Sequence, residues 1–111
     1  MSLEYDVSLA ATHATVALRG RIDRDAVATL DAAYRAASAA GADSVVLDFA
    51  QVDYINSTGI ALIVGLLGAA RADGCAVLAA GLTPHYQHIF DITRLSDFIT
   101  IIDPVDSRRL P

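Results

Sequence analysis

Three small polar residues, Asn56, Ser57 and Thr58, stand directly before Gly59 and a long apolar stretch. They follow a short β-branched segment, so they lie where a strand gives way to a helix. A side-chain oxygen at this position accepts a hydrogen bond from a free backbone N–H group of the first helical turn, which stabilises the helix by about 1 kcal/mol. The residue types therefore predict a helix cap.

The remaining candidates for chemistry are sparse. His85 and His88 stand three apart on a predicted helix and could share a metal ion, but no third ligand has a matching spacing. Cys75 is the only cysteine and precedes a predicted buried strand, so no disulfide forms within the chain. No Ser–His–Asp grouping, phosphate-binding glycine loop or dinucleotide motif is present. We expect no catalytic centre, metal or cofactor, and a weak nucleotide hydrolase is the enzyme class kept as an alternative.

Composition limits the partners. The formal net charge is −5, and every basic residue is arginine, with only Arg108 and Arg109 adjacent. Nucleic-acid binding needs clustered cations, and an anionic membrane surface repels such a chain. The longest apolar run, residues 60–70, is shorter than the roughly 20 residues of a spanning helix, and no signal sequence precedes it. We therefore expect a cytoplasmic protein without nucleic-acid binding or membrane insertion.

The first half of the chain predicts a hairpin and a helix. Hydrophobic residues alternate over residues 3–9 and 14–18, which is typical of two antiparallel strands. Asp23 is a plausible N-cap for an amphipathic helix that ends at Gly41.

The second half repeats a strand-helix-strand order. Buried strands are predicted over residues 44–49 and 75–80, with an apolar helix over residues 58–73 between them. A short helix over residues 84–93 and an edge strand over residues 98–102 complete the chain. Such crossovers are parallel and right-handed. We expect one α/β domain over residues 1–111, with a mixed β-sheet, an N-terminal hairpin and helices packed mainly on one face.

At the polar segment the chain resembles the STAS domain family of bacterial anti-sigma factor antagonists. That family has a strand ending in Asp, a short loop, an acidic residue, two small residues and a Gly that opens an apolar helix. Asp48 and residues 56–59 match this order, although Asn56 replaces the usual Asp. Residues 18–23 and 89–95 are similar to the family's strand-to-helix turn and third helix. The likeness covers roughly residues 3–104, and residues 106–111 predict a last helix that is short or absent.

The resemblance implies a partner-switching cycle. In such families an anti-sigma factor serine/threonine kinase phosphorylates the hydroxyl before the Gly, a phosphatase reverses the reaction, and the unmodified form captures the kinase and frees a sigma factor. By position the acceptor is Thr58, with Ser57 as the second choice. The alternative is a stand-alone STAS subunit of a membrane lipid-transport complex, in which the same helix contacts an ATPase without phosphorylation.

The apolar helix is expected to supply part of the partner surface. Its hydrophobic residues fall on two faces, one containing Ile63 and Leu66 and another containing Ile60, Val64 and Leu67. A helix that covers a sheet normally keeps its outer face polar, so a neighbouring helix or a partner must cover the second face. The residues predicted to bind the partner are Asp23, Asn56, Gly59, Ile60 and Val64.

Overall fold

The computed structural model describes residues 3–102. In chain order its elements are β1 (Leu3–Ala10), β2 (His13–Ile22), a 3₁₀ turn (Arg24–Ala26), α1 (Val27–Ala39), β3 (Ser44–Ile55), α2 (Ser57–Ala72), β4 (Ala76–Ala80), α3 (Pro84–Ile92), a second 3₁₀ turn (Leu95–Asp97) and β5 (Thr100–Ile102). The five strands form one sheet in the order β1-β2-β3-β4-β5. Only β1 and β2 are antiparallel, so the mixed sheet with an N-terminal hairpin is confirmed. The prediction for residues 106–111 lies outside the described residues.

The helices pack on one face of the sheet. Strand alternation directs Val16, Val45 and Leu47 into a core shared with α1 and α2, whereas Val46 is buried outside that core. The helix α3 joins the same core through Phe90, whose ring meets Phe49 edge to face at 6.0 Å between centroids. This arrangement confirms the predicted layering and places the start of α2 beside the end of β2.

The strand β3 is longer than predicted. It does not end at Phe49 but pairs with β2 as far as Ile55, which lies opposite Ile22. Two register shifts in this ladder place bulges beyond Asp48, outside the short β-branched segment on which the sequence prediction depended. At the first shift the Asp48 carboxylate accepts a hydrogen bond from the Ala50 N–H at 3.0 Å. Asp48 therefore marks a bulge and the last pair with β4, not the end of the strand.

The first helix also begins differently. Asp23 is an N-cap as predicted, but it caps the 3₁₀ turn of Arg24–Ala26, and α1 starts at Val27. Its carboxylate accepts a hydrogen bond from the Asp25 N–H at 3.0 Å. The extra turn leads the chain from the end of β2 onto the helical layer.

The C-terminal ends of α1 and α2 are joined by one polar contact. The Tyr34 hydroxyl donates to an Asp73 carboxylate oxygen at 2.7 Å, and Tyr34 is only 6% exposed. Burial first, and the adjacent Asp73 carboxylate second, raise the pKa of Tyr34 far above its ordinary value of 10.0. Asp73 also ends α2, so this contact fixes both helices to one point.

Replacing Tyr34 with phenylalanine should lower the free energy of unfolding by about 1–2 kcal/mol at neutral pH, because the hydrogen bond is lost and Asp73 keeps its access to water. A group whose pKa is raised in the folded state contributes stability below its unfolded pKa. This stability is lost as the pH rises from the unfolded pKa through the folded pKa. The wild-type protein should therefore lose more stability between pH 8 and about pH 11 than Tyr34→Phe, in urea denaturation at both pH values. Equal losses in the two proteins would contradict this role for Tyr34.

Candidate functional site

The start of α2 is capped by Asn56. Its backbone is extended, with φ −98° and ψ −177°, and its side-chain oxygen accepts a hydrogen bond from the Gly59 N–H at 2.8 Å. Ser57 and Thr58 occupy the first two helical positions, and both are exposed. Within residues 3–102 neither hydroxyl takes part in a hydrogen bond. The cap is therefore an amide, and both hydroxyls face solvent without a structural role.

Gly59 fixes this helix start against the end of β2. A Cβ atom on Gly59 would lie 1.9 Å from the Ile22 carbonyl oxygen and 2.7 Å from its carbonyl carbon. The same carbonyl accepts a hydrogen bond from the Asn56 N–H at 3.3 Å. Gly59 is buried, so it positions the polar segment, and its lack of a side chain is what permits the close approach.

A cluster on the neighbouring strand ends was missed by the sequence prediction. The Arg21 guanidinium lies over the Tyr54 ring, with its central carbon 4.4 Å from the ring centroid, and its Nε atom is 3.6 Å from the Asp23 carboxylate. Arg21 and Tyr54 are register partners in the extended part of the β2–β3 ladder. The residue types alone do not predict this cluster. It follows from the strand register, which can be assigned only once β3 is known to reach Ile55. Asp23 is thus held by Arg21 and directly follows Ile22, whose carbonyl accepts from the Asn56 N–H.

The third helix supports the same region from the other side. The Ile55 N–H donates to the Tyr86 hydroxyl at 3.0 Å, which ties α3 to the residue before the cap. The hydroxyl of Thr83 caps α3 by accepting from the Tyr86 N–H at 3.3 Å. Contacts from β2, β3 and α3 therefore converge on residues 55–59 and fix where Thr58 is presented.

The outer surface of α2 exposes fewer large apolar side chains than predicted. Leu67, placed on the second face, is 6% exposed and belongs to the core, so the protein itself covers this side chain and it is not available to a partner. Ile60 is half-buried and packs against the core, whereas Val64 is 50% exposed. The other exposed positions along the helix beyond its first turn are mostly small: Ala61, Gly65, Gly68, Ala69 and Ala72. The result is a surface of mostly small residues around a single projecting valine, with Arg71 as its one charged residue.

The charges near this surface are few. The helix α2 has no acidic residue in its first turn, and Arg71 in its last turn is its only charged residue. A negative group added at Thr58 would thus meet the free N–H groups of the helix start and no carboxylate on that turn. In the part of the chain that the structure describes, no three His, Cys, Asp or Glu side chains come together as a metal site. No helix between residues 3 and 102 has the length and apolarity to cross a membrane.

Comparisons with known proteins are consistent with this geometry. A family model described as "Mlab, STAS domain" matches residues 5–103. No curated protein shows significant sequence similarity to the chain.

Solved structures share the fold at low sequence identity. The anti-sigma factor antagonist SpoIIAA in its unphosphorylated form has a TM-score of 0.72 and 15% identity over 96% of this chain and 94% of its own. SpoIIAA from Bacillus has also been solved in the phosphorylated form. An anti-sigma factor antagonist from Mycobacterium paratuberculosis has a TM-score of 0.74 and 20% identity over 95% of this chain and 89% of its own. A sulfate transporter family protein from Wolinella succinogenes has a TM-score of 0.70 and 10% identity over 84% of this chain and 80% of its own.

Proposed function

The chain belongs to the STAS domain family, and from this premise we propose that it is an anti-sigma factor antagonist controlled by phosphorylation of Thr58. The observation that carries the proposal is the cap at Asn56. Because the amide satisfies the helix start, the Thr58 hydroxyl is exposed and can be modified without the loss of a structural hydrogen bond. Structural neighbours that are themselves anti-sigma factor antagonists, one of them solved with and without phosphate, support this proposal.

The switch follows from where the charge would be added. A phosphate on Thr58 brings about −1.5 to −2 charges to the edge of the α2 surface. The protein's own fold accommodates it, because the helix start attracts anions. A partner surface that fits a neutral hydroxyl and an exposed valine loses affinity, because the phosphate must be desolvated on docking. The unmodified form would then bind the partner and the phosphorylated form would release it.

The proposed partners are an anti-sigma factor serine/threonine kinase, which binds and modifies the chain, and a phosphatase, which restores it. Capture of the kinase frees a sigma factor, so the chain regulates transcription in the cytoplasm without touching nucleic acid or membrane. It is a substrate and binding protein in this scheme, not an enzyme. Asn56 suits the modified state, since an amide caps the helix without a carboxylate beside the phosphate.

A stand-alone subunit of a transport complex is the second candidate. The description of the matching family model includes Mlab, and a sulfate transporter family protein shares the fold. In a membrane lipid-transport complex the α2 surface would contact an ATPase subunit, and Thr58 would remain unmodified. The two candidates use the same surface and differ in whether a phosphate is transferred.

Phosphorylation separates the two candidates. When the chain is incubated with ATP and a kinase shown to bind it, intact-mass spectrometry should record one added phosphate, which fragmentation locates on Thr58. Thr58→Ala should abolish the mass increase, whereas Ser57→Ala should leave it unchanged, because only Thr58 directly precedes Gly59.

Other outcomes of the phosphorylation experiment would contradict this prediction. Phosphate retained in Thr58→Ala and lost in Ser57→Ala would move the site by one residue. A bound partner ATPase that transfers no phosphate to either hydroxyl would refute the switch and favour the transport subunit. The chain alone, without partners, should hydrolyse neither ATP nor GTP above the buffer blank.

A further inference from the structure

A second feature of the molecule lies at the far end of α2. A groove of about 630 Å³ is bordered by the C-terminal half of α2, the start of β4 and residues 95–100. Small-molecule sites in proteins are typically about 300–1,000 Å³. The groove extends from Val64, six positions after Thr58 and about 9 Å along the α-helix, to Arg71. It therefore shares Val64 with the proposed docking surface but does not contain Thr58.

The groove is lined mainly by apolar side chains. Its buried side chains come from α2, β4, the second 3₁₀ turn and the segment after it: Leu67, Val77, Leu95 and Ile99. Val64 and Phe98 form its rim and are 50% and 57% exposed. Apolar surface of this kind gains free energy when an apolar group replaces the water in contact with it.

One cation at the groove has no acidic partner. The central guanidinium carbon of Arg71 lies 5.7 Å from the centroid of the Phe98 ring. Among residues 3–102, no carboxylate lies within ion-pair distance of Arg71, and Asp97 at the same groove pairs with Arg94 at 3.1 Å. A guanidinium over an aromatic face keeps its N–H donors in the plane of the group, where they fit a carboxylate or phosphate.

The Cys75 thiol in the groove carries no charge. Burial first, and then the carboxylates of Asp73 and Asp43, raise the pKa of this thiol. Cys75 lies beside the last turn of α2, where its N–H donates to the Ala70 carbonyl at 2.8 Å. Arg71 is therefore the one lining residue that can pair with an anion, because the other charged lining residue, Asp97, is acidic.

We propose that this groove is a binding site for a small amphipathic anion, whose carboxylate or phosphate head contacts Arg71 and whose apolar body lies along Leu67 and Val77. The site goes beyond the proposed switch and does not depend on it. Occupation would cover the exposed rim side chains Val64 and Phe98, which no described part of the chain covers.

Titration with decanoate tests the proposal. The full chain, labelled with ¹⁵N, should show saturable shifts of the amide signals of Val64, Gly68 and Phe98. Decanol, which has the same apolar body and no charge, should bind at least tenfold more weakly, because it cannot pair with Arg71. Decyl phosphate compares the two head groups, and binding of either anion in preference to decanol supports the site.

Two substitutions test the two halves of the site separately. Arg71→Gln should weaken decanoate binding at least tenfold. Gly68→Leu should abolish it, because Gly68 lines the groove and a Cβ atom added there meets no heavy atom within 4 Å, which leaves room for leucine to occupy the groove. Gly65→Leu is the matched control, since Gly65 is equally open but faces the α1 side of the helix, and it should bind as the wild type does.

Circular dichroism confirms that each variant is folded. The proposal is overturned if decanol binds as tightly as both decanoate and decyl phosphate, if Arg71→Gln binds the anions as the wild type does, or if the amide shifts map away from the groove. Binding seen only where decanoate forms micelles would overturn it as well. Failure of the kinase experiment leaves these outcomes unaffected, because none of them involves Thr58.

Discussion

Replacing Gly59 with alanine should lower the free energy of unfolding by about 3 kcal/mol, at the upper end of what an overpacked core substitution costs. The new methyl group would overlap the Ile22 carbonyl, a backbone atom that cannot rotate away. Either α2 moves from β2 or β2 shifts outward, and both movements disturb the hydrogen bond between Asn56 and Ile22. Urea denaturation of the wild type and the variant measures the difference.

Gly65→Ala is the control for that experiment. Both glycines lie in α2, but a Cβ atom at Gly65 has nothing within 4 Å. Alanine there should stabilise the protein by about 0.5–1 kcal/mol through helix propensity alone. If both variants are equally stable, the contact between α2 and β2 is softer than the geometry indicates, and Gly59 does not position Thr58.

The sheet and helices were predictable because their signals are local. The alternation in β1 and β2 directs side chains such as Leu3, Val16 and Leu18 to the core, and Pro84 and Thr83 mark the start of α3 within two residues. The order of strands and helices then leaves few topologies, since parallel crossovers have one hand. These features can be predicted without knowing the contacts between residues that are distant in sequence.

The extension of β3 was not predictable for a physical reason. Residues 50–54 alternate in residue type, but two bulges shift their register and none of the five is buried, so the buried face that identifies a strand is missing. What holds them in the sheet is backbone hydrogen bonding to β2, which leaves no trace in side-chain type. The pairing of Arg21 with Tyr54 was missed with it, because the two residues become neighbours only through that ladder.

The candidate site was predictable in position and only partly in the role of each residue. The polar triplet before Gly59 located the helix start, yet residue type could not decide which of three possible side chains forms the cap. The structure gives the cap to Asn56 and leaves both hydroxyls exposed. Similarly, helical spacing put Leu67 on the second face but could not show that the second 3₁₀ turn and β5 extend the core beneath it.

The docking surface on α2 leads to the second prediction. Val64→Asp should weaken binding of the partner kinase by at least about 2.7 kcal/mol, roughly a hundredfold. Val64 is the one large apolar side chain that projects from a helix surface of mostly small residues, so a partner that packs there must bury it. An aspartate would have to be desolvated without a partner charge. Titration calorimetry with the purified kinase measures the change.

Leu9→Asp is the control, because Leu9 is an aliphatic side chain of similar exposure, 58%, on the edge strand β1. It should bind the kinase as the wild type does, since Leu9 lines neither of the two depressions that border α2. Thr58→Glu should weaken binding about tenfold, or roughly 1.4 kcal/mol, and Thr58→Gln should have little effect, which separates charge from size. The relative size of the two affinity losses is the decisive result. A partner that packs along α2 must lose more affinity from a charge at Val64, in the centre of the surface, than from one at Thr58, at its edge. Wild-type affinity in Val64→Asp, with the fold intact by circular dichroism, would place the docking surface elsewhere on the molecule.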